Sequence, residues 1–392
     1  PLQLQQAPQQ PQPQHQQPQR HEHGHPTTEY LHHQERGQAA AGAQACAQEV
    51  VGEEVDDLAA GRWDHLLTET VRPPEVRTRR VHPLDRASRG RRAEANVRLG
   101  EVSKRRHQLT GSPLAPCDAN TFADLQARRP QLAAQDVPAS LVDGARGALE
   151  ALDEALWVSC LKSAPRGSAA GPGGGTYEQL RVALDDESLL HRLYQASNAL
   201  AKAEVPEEIA EALVSARLTA LRKPQGGVRG IDTCTAFRRL VARTLARQFL
   251  PEVEEACAPF QFALSTRAGT DCVGHAVRRL TDLDPNATLL SIDGMGAYDN
   301  VRRMAMLSKL DSLPKARAML PFVCMSYGRP SRYSWGHESG DTWFVEQAEG
   351  GEQGDPLMPM LFALGIHDAL ARAKSELRAG EHLFACLDDV YA

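Results

Sequence analysis

Long apolar runs are missing from this sequence of 392 residues. A helix that spans a bilayer needs about 18 or more consecutive apolar residues, whereas the longest runs here are as short as Leu320–Met325. The N-terminus is polar and lacks the basic segment followed by an apolar one that marks a secretory signal. The sequence therefore predicts a protein that is not embedded in a membrane and stays inside the cell, in the nucleus or the cytoplasm.

Cysteine pairs with metal-binding spacing are also missing. The eight cysteines are scattered, and none forms a Cys-x-x-Cys pair, which argues against zinc ribbons and zinc fingers. Scattered cysteines in a chain of this length are typical of a reducing compartment rather than of a disulfide scaffold.

Methionine is absent from the first 294 residues, and all seven methionines follow. The chain begins with proline and ends at Ala392, directly after an apolar segment that carries two adjacent acids. We therefore expect a fragment that is truncated at both ends. An alternative is that residues 1–110 are not a natural coding region, because they combine the missing methionine with a low-complexity composition.

The composition divides the chain into four segments. Residues 1–48 form a tail rich in Gln, Pro and His, which we expect to be disordered because it is too polar to offset the entropy cost of ordering. Residues 49–115 form a basic, Arg-rich linker or arm, which either binds nucleic-acid phosphates or is solvated. A mostly helical extension follows at 116–222, and strands alternate with longer helices at 223–392, which predicts an α+β fold.

Apolar residues recur at helical spacing in the second half of the chain. Positions 141, 145, 149, 152 and 156 predict one helix from Ser140, and the Gly- and Pro-rich run 163–175 predicts a loop. The pair Gly226-Gly227 predicts a turn between two extended segments. Three further helices are predicted at 177–201, 206–221 and 237–250.

The helix predicted at 237–250 is amphipathic. Its polar face carries three cations at steps of four residues: Arg239, Arg243 and Arg247. These arginines either form a solvated helix face or contact the phosphates of a nucleic-acid template.

Three short segments carry residues suited to chemistry, and the first contains Asp293. A buried strand is predicted at Leu289–Ile292, and Asp293 follows it directly, with Gly294 and Gly296 close by. An acid at a strand end can be presented to a cleft, and glycines let a ligand approach the backbone closely. The alternative is an ordinary acidic turn residue.

The second segment is the glycine-rich loop 350–356. Asp355 is placed to cap a helix that has Pro356 at its first position, and the apolar positions 357, 361, 364 and 371 would form the packing face of that helix. A glycine-rich loop that leads into a helix start suits phosphates or a sugar–phosphate backbone. The alternative is an ordinary capped loop.

The third segment is His382–Tyr391, in which Asp388 and Asp389 lie inside an apolar run. This pattern predicts a β-hairpin with the two acids at its turn. Adjacent carboxylates repel each other unless a cation lies between them, and Mg²⁺ is the natural cation for hard oxygen ligands. The alternative is a solvated turn.

In this order, the three segments resemble the palm motifs of reverse transcriptases of the non-LTR retrotransposon type. The residues that match the three motifs in turn are Asp293 with Ala297-Tyr298-Asp299, then Gln353-Gly354-Asp355-Pro356-Leu357, then Leu387-Asp388-Asp389. Upstream, Lys223–Ile231 resembles the fingers segment, and 261–270 resembles the segment between fingers and palm. The resemblance covers 223–392 and implies the fingers and palm of a right-hand polymerase, incomplete because the thumb is missing.

Two positions depart from the pattern of this family. Gly230 stands where the family usually has proline after the fingers arginine, and Cys386 stands where it usually has an aromatic residue. Both departures concern the efficiency of the chemistry more than the identity of the family.

The resemblance implies RNA-templated DNA synthesis by two-metal-ion nucleotidyl transfer. Asp293 and Asp388 would be the direct ligands of two catalytic Mg²⁺ (or Mn²⁺) ions about 3.5–4 Å apart, and Asp389 would be a third catalytic metal ligand in a supporting role. The partners would be an RNA template, a DNA primer and deoxynucleoside triphosphates, with no evident obligate protein partner. Without a thumb the fragment would be inactive alone, and the alternative function is a noncatalytic nucleic-acid-binding remnant that keeps the palm fold.

The same resemblance assigns the nucleotide-binding residues. Lys223 and Arg229 would neutralise the triphosphate, and Gln353 and Gly354 would lie along the templating pocket and the nucleotide sugar. The ring of Tyr298 would clash with a ribose 2′-hydroxyl and so select deoxynucleotides. The alternative is that Tyr298 is a core aromatic residue beside a strand end. That position is compatible with the selection of deoxynucleotides.

Overall fold

A computed structural model of the chain describes residues 111–129, 137–143, 145 and 147–392 except 225, with a few isolated residues between 52 and 98. The tail predicted at 1–48 lies outside the described residues, as does most of the basic segment 49–115. All elements below belong to the unit Ala47–Ala392.

Helices and two small sheets alternate along this unit, as the sequence predicts for an α+β fold. The helices are α1 (Ala119–Ala127), α2 (Ala139–Asp143), α3 (Glu154–Lys162), α4 (Tyr177–Leu180), α5 (Glu187–Ala201), α6 (Glu207–Val214), α7 (Ala236–Cys257), α8 (Gly269–Leu283), α9 (Ala297–Asn300), α10 (Arg303–Asp311), α11 (Leu320–Tyr327) and α12 (Met358–Glu376). The strands are β1 (Ala216–Arg222), β2 (Val228–Cys234), β3 (Ser291–Asp293), β4 (Ser331–Gly336), β5 (Thr342–Gln347), β6 (Phe384–Cys386) and β7 (Asp389–Tyr391). Short 3₁₀ turns occupy Arg181–Asp185 and Ala316–Met319.

The first sheet has four strands in the order β2-β1-β4-β5. Strands β1 and β2 form an antiparallel hairpin, β1 pairs in parallel with β4, and β4 and β5 form a second hairpin. Gly226 and Gly227 have φ values of 96° and 75°, a region that favours glycine, and they form the predicted turn between two extended segments. The boundary predicted between residues 222 and 223 falls inside the β1–β2 hairpin.

One face of this sheet is covered by α1. Alternate residues of β1 are buried together with Tyr333 and Trp335, which is the period-two pattern of a strand with one apolar face. Helix α1 begins after Asp118, whose side chain accepts a hydrogen bond from the Thr121 N–H at 2.8 Å, and it buries Leu125 against the sheet. The cap fixes where α1 starts, and the buried leucine fixes which face it turns to the sheet.

The second sheet has three short antiparallel strands in the order β3-β7-β6. Ala385 is buried with Leu370 of α12 on one side of it. The strand predicted as buried at 289–292 is wrong in both extent and burial. Strand β3 begins at Ser291, and Leu289, Leu290 and Ile292 are 49%, 55% and 47% exposed, because β3 is an edge strand paired only with β7 in the part of the chain that the structure describes.

The helical core is organised around α7. This helix packs against α3, α5 and α12, and its residues Val241 and Leu245 are fully buried. Trp157 of α3 is also fully buried, and its indole N–H donates to the Ser197 hydroxyl at 3.1 Å, so the ring fills the core without leaving its polar atom unpaired. The helix predicted at 237–250 is confirmed, and it extends to Cys257.

Four predicted helix boundaries are wrong. The helix predicted at 177–201 is divided into α4 and α5 by the 3₁₀ turn Arg181–Asp185, because Asp186 caps α5 by accepting from the Leu189 N–H at 2.9 Å. The single helix from Ser140 is divided, because Asp153 caps a new helix by accepting from the Leu156 N–H at 2.7 Å. The helix predicted at 206–221 ends at Val214, since pairing with β2 draws the following residues into β1. Asp355 is not the N-cap of α12, which begins at Met358 with Pro359 in its first turn.

The packing face of α12 follows the predicted spacing for three of its four positions. Leu357, Leu361 and Leu364 are buried, whereas Ala371 is exposed. Among the described residues, no helix combines the length and the apolar character needed to cross a membrane.

Candidate active site

Two of the predicted carboxylates are brought together by the register of the three-stranded sheet. Asp293 of β3 lies directly opposite Asp389 of β7, and residues in direct register share one face of a sheet about 4.5–5.5 Å apart. Asp388 lies beside them in the two-residue turn between β6 and β7, where Leu387 has a φ of 58°. Within the described part of the chain, none of the three acids has an ion-pair partner, so their negative charge faces the solvent uncompensated.

The hairpin that carries Asp388 is held by a segment from elsewhere in the chain. Gln261 accepts a hydrogen bond through Oε1 from the Leu387 N–H at 2.7 Å. The amides of Phe262 and Ala385 each donate, at 2.8 Å, to carbonyls of the opposite segment. The segment predicted between fingers and palm therefore positions the acidic turn, a role of Gln261 that sequence reasoning missed.

Tyr298 lies at the edge of this acidic group. Its ring stacks on Phe362 with centroids 4.9 Å apart and an interplanar angle of 10°. Burial and the nearby negative charge of Asp388 raise the pKa of Tyr298 to about 12. The hydroxyl is therefore neutral near pH 7, and the ring is fixed beside the carboxylates.

The glycine-rich loop 350–355 packs directly against the segment that contains Tyr298. The Gly351 N–H donates to the Tyr298 carbonyl at 2.9 Å, and the Gly350 N–H donates to the Val301 carbonyl at 2.8 Å. A Cβ on Gly350 would overlap the carbonyl oxygens of residues 298 and 299, and a Cβ on Gly354 would overlap the Asp232 carbonyl oxygen. The glycines are therefore required for close approach, and the exposed Gln353 lies between them on this loop.

A buried ion-pair network holds the loop from below. Arg238 of α7 pairs with Glu352 at 2.9 Å and with Asp355 at 3.2 Å, and all three side chains are fully buried. The Tyr327 hydroxyl donates to Asp355 at 2.6 Å. Asp355 thus holds the loop in place through Arg238 and Tyr327, and its Oδ1 also accepts a hydrogen bond from the Leu357 N–H at 2.8 Å, directly before α12.

A second buried network connects the four-stranded sheet to the segment after Asp293. Arg129 donates to both carboxylate oxygens of Asp232 at 3.0 Å, to Asp299 at 3.1 Å, and to the Gln347 side chain. Burial raises the pKa of Asp232 and of Asp299, and the Arg129 guanidinium opposes that rise. Arg129 was not predicted, because its partners lie 103 and 170 residues away in the sequence.

The predicted triphosphate-binding cations approach the site from the β1–β2 hairpin. Lys223 and Arg229 both lower the pKa of Asp299, and Arg128 at the end of α1 does so as well. Lys223 is half-buried, while Arg128 and Arg229 are exposed. Their positive charges therefore oppose the rise that burial causes in the pKa of Asp299.

The three arginines of the predicted polar face of α7 each donate to a neighbouring segment, although Arg243 is half-buried and Arg247 is exposed. Arg239 is 9% exposed, donates to the Ala169 carbonyl at 2.7 Å and lies over the Tyr177 ring. Arg243 donates to Ser163 at 3.4 Å and Arg247 to the Cys160 sulfur at 3.5 Å. The fully solvated helix face is thus wrong for Arg239, and the template contact of these arginines stays a prediction.

The carboxylates of Asp293, Asp388 and Asp389 suit a hard cation such as Mg²⁺, but they do not surround one on their own. The described residues include no group of three or more His, Cys, Asp and Glu side chains arranged to hold a metal, so the three predicted acids do not form a complete ligand set by themselves. Mg²⁺ commonly binds through one or two carboxylates and completes its shell with substrate phosphates and water. The Asp293–Asp389 pair fits an ion that is shared with a nucleotide.

The chain is similar to a protein of a mobile element. It is 26% identical over 229 residues to the "Retrotransposable element SLACS 132 kDa protein" of Trypanosoma brucei gambiense, a match that covers 57% of this chain and 19% of the relative. No family model matches the chain. Among solved structures, telomerase from Candida albicans in complex with a TWJ fragment of telomeric RNA aligns over 48% of this chain and 39% of that chain, at 11% identity and a TM-score of 0.35.

Proposed function

We propose that residues 223–392 form the fingers and palm of a reverse transcriptase that synthesises DNA on an RNA template. The observation that carries this proposal is the β3–β7 register, which sets Asp293 opposite Asp389 with Asp388 in the adjoining turn. The similarity to a retrotransposable element protein supports it, although the chain spans only 19% of that relative's length.

The reaction would be the in-line attack of a primer 3′-hydroxyl on the α-phosphate of a deoxynucleoside triphosphate. Asp293 and Asp389 would hold the divalent cations because they lie in direct register, with Asp388 in support; the sequence resemblance alone assigns the supporting role to Asp389 instead. Bound Mg²⁺ or Mn²⁺ supplies charge neutralisation at the reacting phosphate and lowers the pKa of the attacking hydroxyl. The remaining task of the protein is to position and neutralise the nucleotide.

Positioning of the nucleotide would fall to groups on three elements. Lys223 and Arg229 would neutralise the β- and γ-phosphates from the hairpin, while Gln353 and Gly354 would line the sugar and the templating base. Tyr298 would close the space below the 2′-carbon, since its ring is held by Phe362 beside Asp388. The product of the reaction would therefore be DNA.

Primer extension tests this proposal. The protein that carries this chain would be incubated with an RNA template, a DNA primer, deoxynucleotides and Mg²⁺, beside an Asp293→Asn, Asp389→Asn variant. We expect extension by the wild-type protein and none by the variant. Equal extension by both proteins would contradict the site, and primer–template binding without extension would favour the noncatalytic remnant.

A further inference from the structure

The site contains a cation that the motifs of the second half of the chain do not include. Arg128 lies at the C-terminal end of α1, about a hundred residues before the hairpin that carries Lys223 and Arg229. Its guanidinium lies over the turn of that hairpin, because a Cβ on Gly227 would overlap Arg128 Nη2. The helix therefore delivers a positive charge to the tip of the β1–β2 hairpin.

The neighbouring residue fixes this position. Arg129 is 3% exposed, and its guanidinium is held by Asp232 and Asp299 at 3.0 and 3.1 Å. Because Arg129 is anchored in the interior, the backbone of Arg128 cannot move far from the hairpin. The exposed side chain of Arg128 is nevertheless free to turn toward a ligand.

Charge balance indicates what that ligand is. Arg128, Lys223 and Arg229 all act on Asp299, yet Asp299 already pairs with Arg129. Among the residues that the structure describes, no carboxylate forms an ion pair with any of these three cations. The local excess of positive charge matches a polyanion, and the planar guanidinium binds phosphate oxygens in a bidentate manner.

We propose that Arg128 binds the terminal phosphates of the nucleoside triphosphate, as a third cation beside Lys223 and Arg229. This inference rests on the proposed function. It adds that α1, which lies outside the segment with reverse-transcriptase motifs, completes the triphosphate pocket.

Calorimetric titration with dATP and with dAMP, both in Mg²⁺, tests the assignment. A bidentate charged contact predicts that Arg128→Ala weakens dATP binding about tenfold, while dAMP binding, which lacks the terminal phosphates, changes less than about twofold. Arg128→Lys should restore part of the dATP affinity. The matched control is Arg332→Ala, because the Arg332 guanidinium stacks on Phe344, 3.8 Å from the ring centroid, away from this turn.

Three results would overturn the assignment. Wild-type affinity for dATP in Arg128→Ala, alongside weakened binding in Lys223→Ala, would remove Arg128 from the pocket and leave the proposed function intact. Equal losses for dATP and dAMP would show that Arg128 only supports the fold. If the wild-type chain binds no dATP at all, the proposed function and this inference fail together.

Discussion

At the scale of single residues, Tyr298 is the side chain that would select the sugar of the nucleotide under the proposed function. Its ring is fixed by the stack on Phe362, and its hydroxyl is kept neutral by burial and by Asp388. A rigid ring in this position would exclude a ribose 2′-hydroxyl by its shape, whereas a carboxylate there would accept a hydrogen bond from that hydroxyl. Sugar selection would therefore depend on the ring of Tyr298 and not on its hydroxyl.

Replacing Tyr298 tests that assignment. Tyr298→Ala should raise the use of ATP relative to dATP by roughly a hundredfold, since a clash of about 3 kcal/mol is relieved, while dATP use survives because the carboxylates are untouched. Tyr298→Phe is the matched control, and it should discriminate like the wild type. The measurement is the ratio of ATP to dATP incorporation in primer extension. A collapse of dATP use without a gain for ATP would instead identify Tyr298 as a packing residue.

Arg238 is the residue whose loss should cost the most stability. Arg238→Ala leaves Glu352 and Asp355 buried without a counter-charge, and removal of one partner from a buried pair costs about 3–5 kcal/mol. The control is Arg329→Ala, because Arg329 and Glu207 are 71% and 66% exposed and such pairs contribute about 0–1 kcal/mol. Urea unfolding measures both free energies. Similar losses in the two variants would contradict the role of the buried network.

At the scale of elements, the glycine-rich loop 350–355 is the part of the site with the least room. A Cβ on Gly354 would overlap the backbone carbonyl of Asp232, which cannot rotate away as a side chain could. By contrast, a Cβ on Gly336 of β4 would meet no atom within 4 Å. The two positions therefore provide a matched pair of substitutions.

Gly354→Ala should displace the loop and weaken dATP binding, with a loss of stability of about 1–3 kcal/mol from overpacking. Gly336→Ala should leave both quantities near the wild-type values. Chemical denaturation and calorimetric titration of the two variants provide the comparison. If Gly354→Ala matches Gly336→Ala, the loop is not constrained in the way that the contacts indicate.

The local sequence pattern predicted those elements that are determined by residues close together in the sequence. The Gly226-Gly227 turn, the helix from residue 237 and the acidic hairpin near Asp388 each depend on neighbouring residues, and the structure has all three. The helix predicted up to residue 221 failed because apolar spacing cannot show that a segment will find a strand partner. The buried strand before Asp293 failed because an apolar run does not reveal whether a strand lies at a sheet edge.

The candidate site was predictable only in part, for a related reason. The acids and Tyr298 stand in short ordered motifs, so their types and spacing are visible in the sequence. Arg129 and Gln261 act across more than a hundred residues, and no local spacing marks them. The burial of Arg239 likewise depends on the loop around Ala169. The helical spacing of residues in α7 cannot predict that contact.

At the scale of the whole molecule, the cysteines report on the packing of the helical core. Cys257 and Cys324 are buried, and burial raises the pKa of each thiol to about 12. Cys117 and Cys272 are exposed. Because the thiolate is the reactive form, the fold predicts a sharp difference in reactivity between the exposed Cys272 and the two buried cysteines.

Alkylation with iodoacetamide at neutral pH, read by peptide mass spectrometry, checks this difference. Cys272 should be labelled within minutes, while Cys257 and Cys324 should stay unmodified until denaturant is added. Labelling of all three at one rate in the native protein would contradict the burial of Cys257 in α7 and of Cys324 in α11.

The central claim is that Asp293 and Asp389 together hold a divalent cation with a nucleotide. Water-proton relaxation of Mn²⁺, titrated with the chain and dATP, tests it most directly, with the Asp293→Asn, Asp389→Asn variant as comparison and circular dichroism as the check on folding. We predict an enhanced relaxation signal for the wild-type ternary complex, and at least about a tenfold weaker Mn²⁺ affinity in the folded variant, because both charged ligands are lost. Equal Mn²⁺ affinity in the two proteins would contradict the account.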